Sequence, residues 1–291
     1  MARIGFVGTG TMGAPMVHCL AEKGFAPLVY DAVPDAARKV ADRDGLTMAA
    51  TLGDLADCDT VLLMLPNSGI VRDVCLADGG LAAQLRRGAV IVDMSSSDPI
   101  ETRKIGAALA DKGIILLDAP VSGGVRKAIS GTLAIMLGGD DAAAMDRVEP
   151  MLSAMGKVFR AGPLAAGHAT KALNNYVSAA GLLAACEAVI VARDFGLDPA
   201  RMTEIINAST GRNNSTENKI AQFILSGKYR DAGFALGLMA KDVGLAAALA
   251  SATGRPLPGV AAISAVWSQA EHDLEKGADH TEIFRFLADL Q

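Results

Sequence analysis

The sequence predicts an α/β domain with a doubly wound sheet, followed by an all-α C-terminal domain. Three observations carry that expectation. Short apolar runs alternate with longer amphipathic ones up to about residue 163, and from Gly167 onward the strand-like runs give way to helical patterns. The apolar fraction is 51% but the aromatic fraction only 4%, so the core is drawn from Ala, Val, Leu, Ile and Met, a palette suited to close helix packing. A chain of 291 residues lies where single cores stop growing, about 250 to 300 residues, so two domains are expected, 1–163 and 164–291.

The strand-like runs are residues 4–7, 28–31, 61–65, 90–94 and 114–118, each bounded by Gly, Pro or Asp, as buried parallel strands are. Residues 14–23 and 100–112 have the length and composition of crossover helices. Two further runs, 132–137 and 158–160, flank a helical stretch carrying Pro150 and extend the sheet, one of them antiparallel. Beyond them helices are expected over 169–195, 199–208, 215–225, 234–253, 259–276 and 281–290. The first of these, about 40 Å long at 1.5 Å per residue, would run from one domain into the other.

Composition excludes several classes of partner. A net charge of -5 with no Lys/Arg run gives no field for a nucleic-acid backbone. Cys19, Cys58, Cys75 and Cys186 form no C-x-x-C pair and no metal-ligand spacing, so no metal is expected. The most apolar stretch, residues 176–192, is interrupted by Glu187 and reads as a buried helix rather than a membrane span. With a strand beginning almost at Met1, no secretory signal is expected, and a reduced, cytoplasmic setting is.

The first strand-to-helix turn reads Gly8-Thr9-Gly10-Thr11-Met12-Gly13, the G-x-G-x-x-G of Rossmann-type folds. Gly8 permits the tight turn, Gly10 lets the backbone approach a pyrophosphate, and Gly13 lets helix and strand pack closely. Asp31 ends the second strand about 18 residues later, where a carboxylate accepts hydrogen bonds from the adenosine ribose. That carboxylate repels a 2′-phosphate, and Ala32, Val33 and Pro34 supply no cation in its place, so NAD is expected over NADP. Arg38 is assigned to a solvated helix face. Leu65 and Pro66 after the third strand, and Ser96 after the fourth, lie at strand ends that line the ligand crevice and are assigned to the cofactor. Ser96 and Ser97 also stand where either could cap the helix that starts at Pro99.

Ser122, Gly123 and Gly124 follow the fifth strand and could offer a hydroxyl and consecutive N–H groups to a carboxylate, or form a plain turn. Lys171 and Asn175 are four apart on one helix face, flanked by Asn174 and Ser178. The helix turns almost wholly apolar afterwards, so the Lys171 ammonium is expected in a cleft. Burial disfavours the charged amine and would make it a proton acceptor near neutral pH.

Together these segments resemble the β-hydroxyacid dehydrogenase family, which includes the 3-hydroxyisobutyrate dehydrogenases and tartronate semialdehyde reductases. The resemblance spans the chain and rests on residues 8–16, 118–124, 167–175 and 234–242. It implies a catalytic Lys171 assisted by Asn175, substrate contacts from Ser122, Gly123, Gly124 and Asn174, and Lys241 reaching substrate and cofactor. Without it, Lys241 reads as a surface lysine paired with Asp242. Ser96 stands where the family usually has threonine, Cys19 where asparagine is common, and Ala165 where glycine is frequent. Residues 211–216 are less general in the family and offer Arg212 and amides to a distal substrate group, or a helix cap at Asn214 and Ser215.

The expected activity is hydride transfer between a short β-hydroxy acid and NAD. The alternatives are a semialdehyde reductase of a sugar-acid or sulfonate pathway, an imine reductase, a decarboxylating sugar-acid dehydrogenase, or a dinucleotide sensor without catalysis. An Ala- and Leu-rich helical domain is expected to self-associate as a homodimer or homotetramer.

Overall fold

In the computed structural model, which describes residues 3–290, five apolar runs become parallel strands: β1 (Ile4–Val7), β2 (Leu28–Tyr30), β3 (Thr60–Leu63), β4 (Val90–Asp93) and β5 (Ile115–Asp118). Their order is β2-β1-β3-β4-β5, so the chain reverses direction across the sheet between β1 and β3. A reversal of this kind opens a crevice beyond the carboxyl ends of those two strands. Side chains alternate between faces: Val61 and Leu63 join a core with Leu55, Leu81, Ile105 and Leu109, while Leu62 joins Met16, Leu20, Val148 and Leu152 on the other.

The sheet continues through β6 (Val121–Ser122), β7 (Leu133–Gly138) and β8 (Gly156–Gly162). β7 runs antiparallel to β5, and β8 pairs parallel to β7, so both extension strands oppose the first five, where the sequence suggested one. β6 is an addition to the expected set. It continues β5 along β7 in the same register, Asp118 opposite Gly138 and Val121 opposite Ile135, so the two are one strand interrupted at Ala119-Pro120. Proline has no N–H to give the ladder, and the Pro120 carbonyl still accepts from Met136 at 3.0 Å.

The connecting helices are α1 (Gly13–Glu22), α2 (Pro34–Asp44), α3 (Ser68–Leu76), α4 (Leu81–Gln84), α5 (Pro99–Asp111), α6 (Gly124–Ile129) and α7 (Ala142–Ser153). Their starts are written in the sequence. Asn67 accepts from Ile70 N–H, Asp98 from Ile100 N–H and Asp141 from Ala144 N–H, and Pro34 and Pro99 sit where a missing N–H costs nothing. The cap before Pro99 is therefore Asp98 and neither Ser96 nor Ser97.

A long helix, α8 (Ala166–Asp194), leads into α9 (Pro199–Asn207), α10 (Leu236–Ala252), α11 (Pro258–Asp273) and α12 (Ile283–Ala288). Packing divides the chain into two compact units, Met1–Lys171 and Ala172–Gln291, and the division falls within α8 rather than at the expected 163/164 boundary. Length and composition alone would let α8 cross a membrane. Within the second unit, however, Ala179, Leu182, Leu183, Cys186 and Val189 recur at helical spacing and bury against Ile220, Met239, Val243, Trp267 and Phe286, as a core helix does.

The helix expected over 215–225 is a π-helix, Thr216–Ile224. Asn213, not Asn214 or Ser215, organises its start: its carboxamide oxygen accepts the N–H groups of Ser215 and Thr216 at 2.8 and 3.2 Å. Arg212 is exposed and lies 3.7 Å from Glu217.

All four cysteines are buried, and burial is the main cause that raises each thiol, Cys58 to about 11 and Cys186 to about 12.

Candidate active site

The nucleotide loop occupies the crevice between β1 and β3. Gly8 has φ +97°, and a Cβ there would overlap the Met64 carbonyl and stand 3.2 Å from the Leu65 side chain. A Cβ at Gly13 would overlap the Gly8 carbonyl, so helix and turn meet only with hydrogen at that position. Gly10 is different: no atom lies within 4 Å of where its Cβ would stand. Its backbone faces open space at the start of α1, as a pyrophosphate cradle requires, and the dinucleotide expected there fits. Gly13→Ala is accordingly expected to weaken NADH binding at least tenfold and to cost about 1–3 kcal/mol of stability. Fluorescence titration and denaturant unfolding read the two effects, and wild-type binding by the variant would contradict the packing argument.

Asp31 is held against the same loop. One carboxylate oxygen accepts the Thr9 backbone N–H at 2.7 Å and its hydroxyl at 3.1 Å, and the other accepts the Val33 N–H at 2.8 Å. Thr9 is buried, whereas Thr11 is exposed and Met12 half-buried. Arg38 pairs with Asp35 at 2.8 Å on an exposed helix face. Leu65 donates its N–H to Ser95 Oγ at 2.9 Å, Pro66 is exposed and Ser96 is half-buried.

Ser122 ends β6, and Gly123 and Gly124 follow with φ +133° and +65°. Two consecutive positive φ values are what glycine tolerates at low cost, and they turn the chain sharply into α6. Lys171 is 8% exposed on α8. Asp118 is fully buried and accepts the Ala165 and His168 N–H groups at 2.7 Å each. Burial pushes its carboxyl up, against the opposing pull of His168 and of the His168 and Ala165 N–H groups. Ala165 is the one non-glycine residue with positive φ, +76°, among the described residues. The glycine frequent at that position in the resembling family would relieve it.

In the second unit Asn175 is 6% exposed and donates Nδ2 to Asp242 at 2.5 Å, while its Oδ1 accepts from Asn174 at 3.2 Å. Asn174 itself is exposed. Lys241 lies 3.4 Å from Asp242, the pairing that the sequence alone suggested, but Asp242 is buried. Asp242 is the residue that sequence reasoning missed as a site component. Its signal was an acid within the otherwise apolar α10, read there only as a neighbour for Lys241.

Comparison with known proteins identifies the family. Residues 3–167 match the family model for the NAD-binding domain of 6-phosphogluconate dehydrogenase, and residues 165–287 match one described as NAD-binding of NADP-dependent 3-hydroxyisobutyrate dehydrogenase. A 2-(hydroxymethyl)glutarate dehydrogenase from Eubacterium barkeri is 37% identical over 257 residues, covering 88% of this chain and 85% of that one. An NAD-dependent L-serine dehydrogenase from Pseudomonas aeruginosa is 36% identical, covering 90% of each. The solved structure of Mycobacterium tuberculosis 3-hydroxyisobutyrate dehydrogenase with L-serine superposes with a TM-score of 0.89 at 32% identity, covering 99% of each chain. The relatives are dehydrogenases with a pyridine-nucleotide domain, and this chain belongs with them to the β-hydroxyacid dehydrogenase family.

Proposed function

We propose that this oxidoreductase moves a hydride between NAD and a short acid carrying a primary alcohol one carbon beyond the carboxylate-bearing carbon, with Lys171 as the acid/base. The observation that carries the reading is a buried lysine one helical turn before a buried, carboxylate-anchored asparagine. The relatives' names add the substrate class, since 2-(hydroxymethyl)glutarate, L-serine and 3-hydroxyisobutyrate share that unit.

In the proposed oxidation, Ser122 and the N–H groups of Gly123 and Gly124 hold the substrate carboxylate, and Asn174, Asn175 and Lys241 orient the remainder. Lys171 Nζ takes the hydroxyl proton as the carbinol C–H bond breaks and its electron pair leaves as hydride. The bound nicotinamide supplies the hydride acceptor. In reduction the protonated amine polarises the carbonyl and returns the proton. Holding the reacting groups in line supplies proximity that solution lacks.

Assays at 340 nm with NAD and NADP against 3-hydroxyisobutyrate, L-serine, 3-hydroxypropionate and 2-(hydroxymethyl)glutarate test this reading. NAD-linked turnover of at least one is expected, and silence across the panel would refute the substrate class.

Preference for NAD is supported by Asp31, whose fixed carboxylate would face a 2′-phosphate, while Arg38 is engaged with Asp35. Asp31→Ser is expected to lower the NAD-to-NADP ratio of kcat/KM at least tenfold, and an unchanged ratio would remove Asp31 from selection.

Self-association is supported by Leu173, Val177 and Val191, exposed apolar side chains along α8, and by Phe195 just beyond its end, 83% exposed. Light scattering is expected to give a dimer or larger, and a monomer would contradict it.

A further inference from the structure

Among the buried titratable side chains that the proposed chemistry leaves unused is His168. His168 is 1% exposed in the first turn of α8, three residues before Lys171. Its backbone N–H donates to Asp118 Oδ2 at 2.7 Å, and its Nδ1 lies 2.8 Å from Thr102 Oγ1. The direction of that second bond depends on which ring nitrogen carries the proton. Thr102 has a single hydroxyl proton, and it goes to the Asp98 carbonyl at 2.9 Å. With that proton given to Asp98, the hydroxyl accepts from His168 and Nδ1 carries the ring proton. The other ring nitrogen, Nε2, is buried without a hydrogen-bond partner and faces Asp93 Oδ2 at 3.7 Å.

Asp93 is itself the hub of a second set of bonds. Its carboxylate accepts the Ser95 N–H at 3.0 Å and the Ser97 hydroxyl at 2.6 Å, and Ser95 Oγ accepts the Leu65 N–H. Polar contacts therefore run from the end of β3, across the ends of β4 and β5, to the first turn of α8. That turn is also pressed close. A Cβ at Gly167 would overlap the Met136 carbonyl, and one at Gly138 would stand 2.9 Å from the Gly167 nitrogen.

We propose that His168 is a positioning residue: by donating Nδ1–H to Thr102 while its ring abuts Asp93, it fixes where α8 presents Lys171 relative to the strand ends that carry the nucleotide loops. This rests on the acid/base reading of Lys171 given above. The physical requirement is strict. Lysine hangs its amine on a flexible four-carbon stem, and a displacement of about 1 Å at the reacting centre costs about 10²-fold in rate. Residues three apart on a helix lie about 5–6 Å apart at Cβ, so a shift of His168 is transmitted to Lys171 with little loss.

The test compares three substitutions at His168 in the full chain. Asparagine carries an N–H where Nδ1 stands, glutamine carries one where Nε2 stands, and leucine carries neither. With 3-hydroxyisobutyrate and L-serine as substrates, His168→Leu is expected to lose about 10²-fold in kcat while KM and NADH affinity stay within about threefold. His168→Asn should recover at least tenfold of that loss, and His168→Gln should not. Thr102→Val removes the acceptor at similar shape and should follow His168→Leu, which keeps the proposal testable if the leucine variant fails to fold.

Full kcat in His168→Leu or Thr102→Val overturns the proposal, and so does an asparagine variant no better than leucine. Lys171→Ala measured beside them separates the two readings. Full activity there refutes the acid/base role, whereas an inactive Lys171→Ala beside a fully active His168→Leu refutes the positioning role alone. A readout without substrate completes the test: in long-range proton–nitrogen spectra of histidine-labelled protein, the resonance lost in His168→Asn should show a protonated Nδ1, and a bare Nδ1 would overturn the assignment.

Discussion

Lys171→Ala should bind NADH within twofold of wild type and turn over its hydroxy acid about 10³-fold more slowly. The magnitude follows from the role, since a positioned acid/base contributes about 10²- to 10⁴-fold. The separation follows from the fold: the nucleotide loop is built from β1, α1, β2 and β3, whereas Lys171 stands on α8. The removed group is a buried amine, so water could reach its place, and partial rescue by added primary amines is expected. Steady-state assays at 340 nm give kcat, and quenching of protein fluorescence gives NADH affinity. A variant that keeps wild-type kcat would remove Lys171 from the proton transfer.

Asp242→Ala is the second large effect, about 10²-fold in kcat together with about 1–3 kcal/mol of stability. A carboxylate only accepts hydrogen bonds, so Asp242 forces the Asn175 side chain to present Nδ2 to it and keeps Oδ1 turned the other way. Alanine leaves a buried amide donor without its acceptor and frees the side chain to rotate. Asp242→Asn distinguishes orientation from simple space-filling, because an amide of the same shape can also donate and so tolerates a flipped Asn175. Rates should fall in both variants, with stability lost mainly in the alanine one. Unchanged kcat in Asp242→Asn, read against thermal unfolding of both, would assign Asp242 to structure only.

The strands and the nucleotide loop were legible because their signals are local. Gly8, Gly10 and Gly13 do different jobs at fixed spacing, and each strand is a short apolar run ending at a turn residue. β6 was not legible, since two residues carry no period. It is recognisable only once its shared register with β5 is seen across β7. The π-helix from Thr216 to Ile224 has the same apolar spacing as an α-helix over so short a length, and the difference is decided by packing.

The polar groups around the candidate site divide in the same way. Lys171, Asn175 and Asp31 stand in recognisable local patterns. Asp242, Asp93 and His168 do not, because their value lies in partners far along the chain: Asn175 is 67 residues from Asp242, and Thr102 is 66 from His168. A carboxylate closing a buried apolar strand, as Asp93 closes β4 and Asp118 closes β5, is the trace such networks leave in sequence.

Enclosure of the thiols should make the native molecule slow to react with alkylating reagents, and their distribution turns that slowness into a measuring device. Cys75 lies in the first unit and Cys186 in the second, each fully enclosed. Either sulfur becomes available only when its surroundings open, so its modification rate clocks local opening. Mass-resolved labelling of these two side chains would time the opening of each half separately in the unmodified sequence, with no introduced probe.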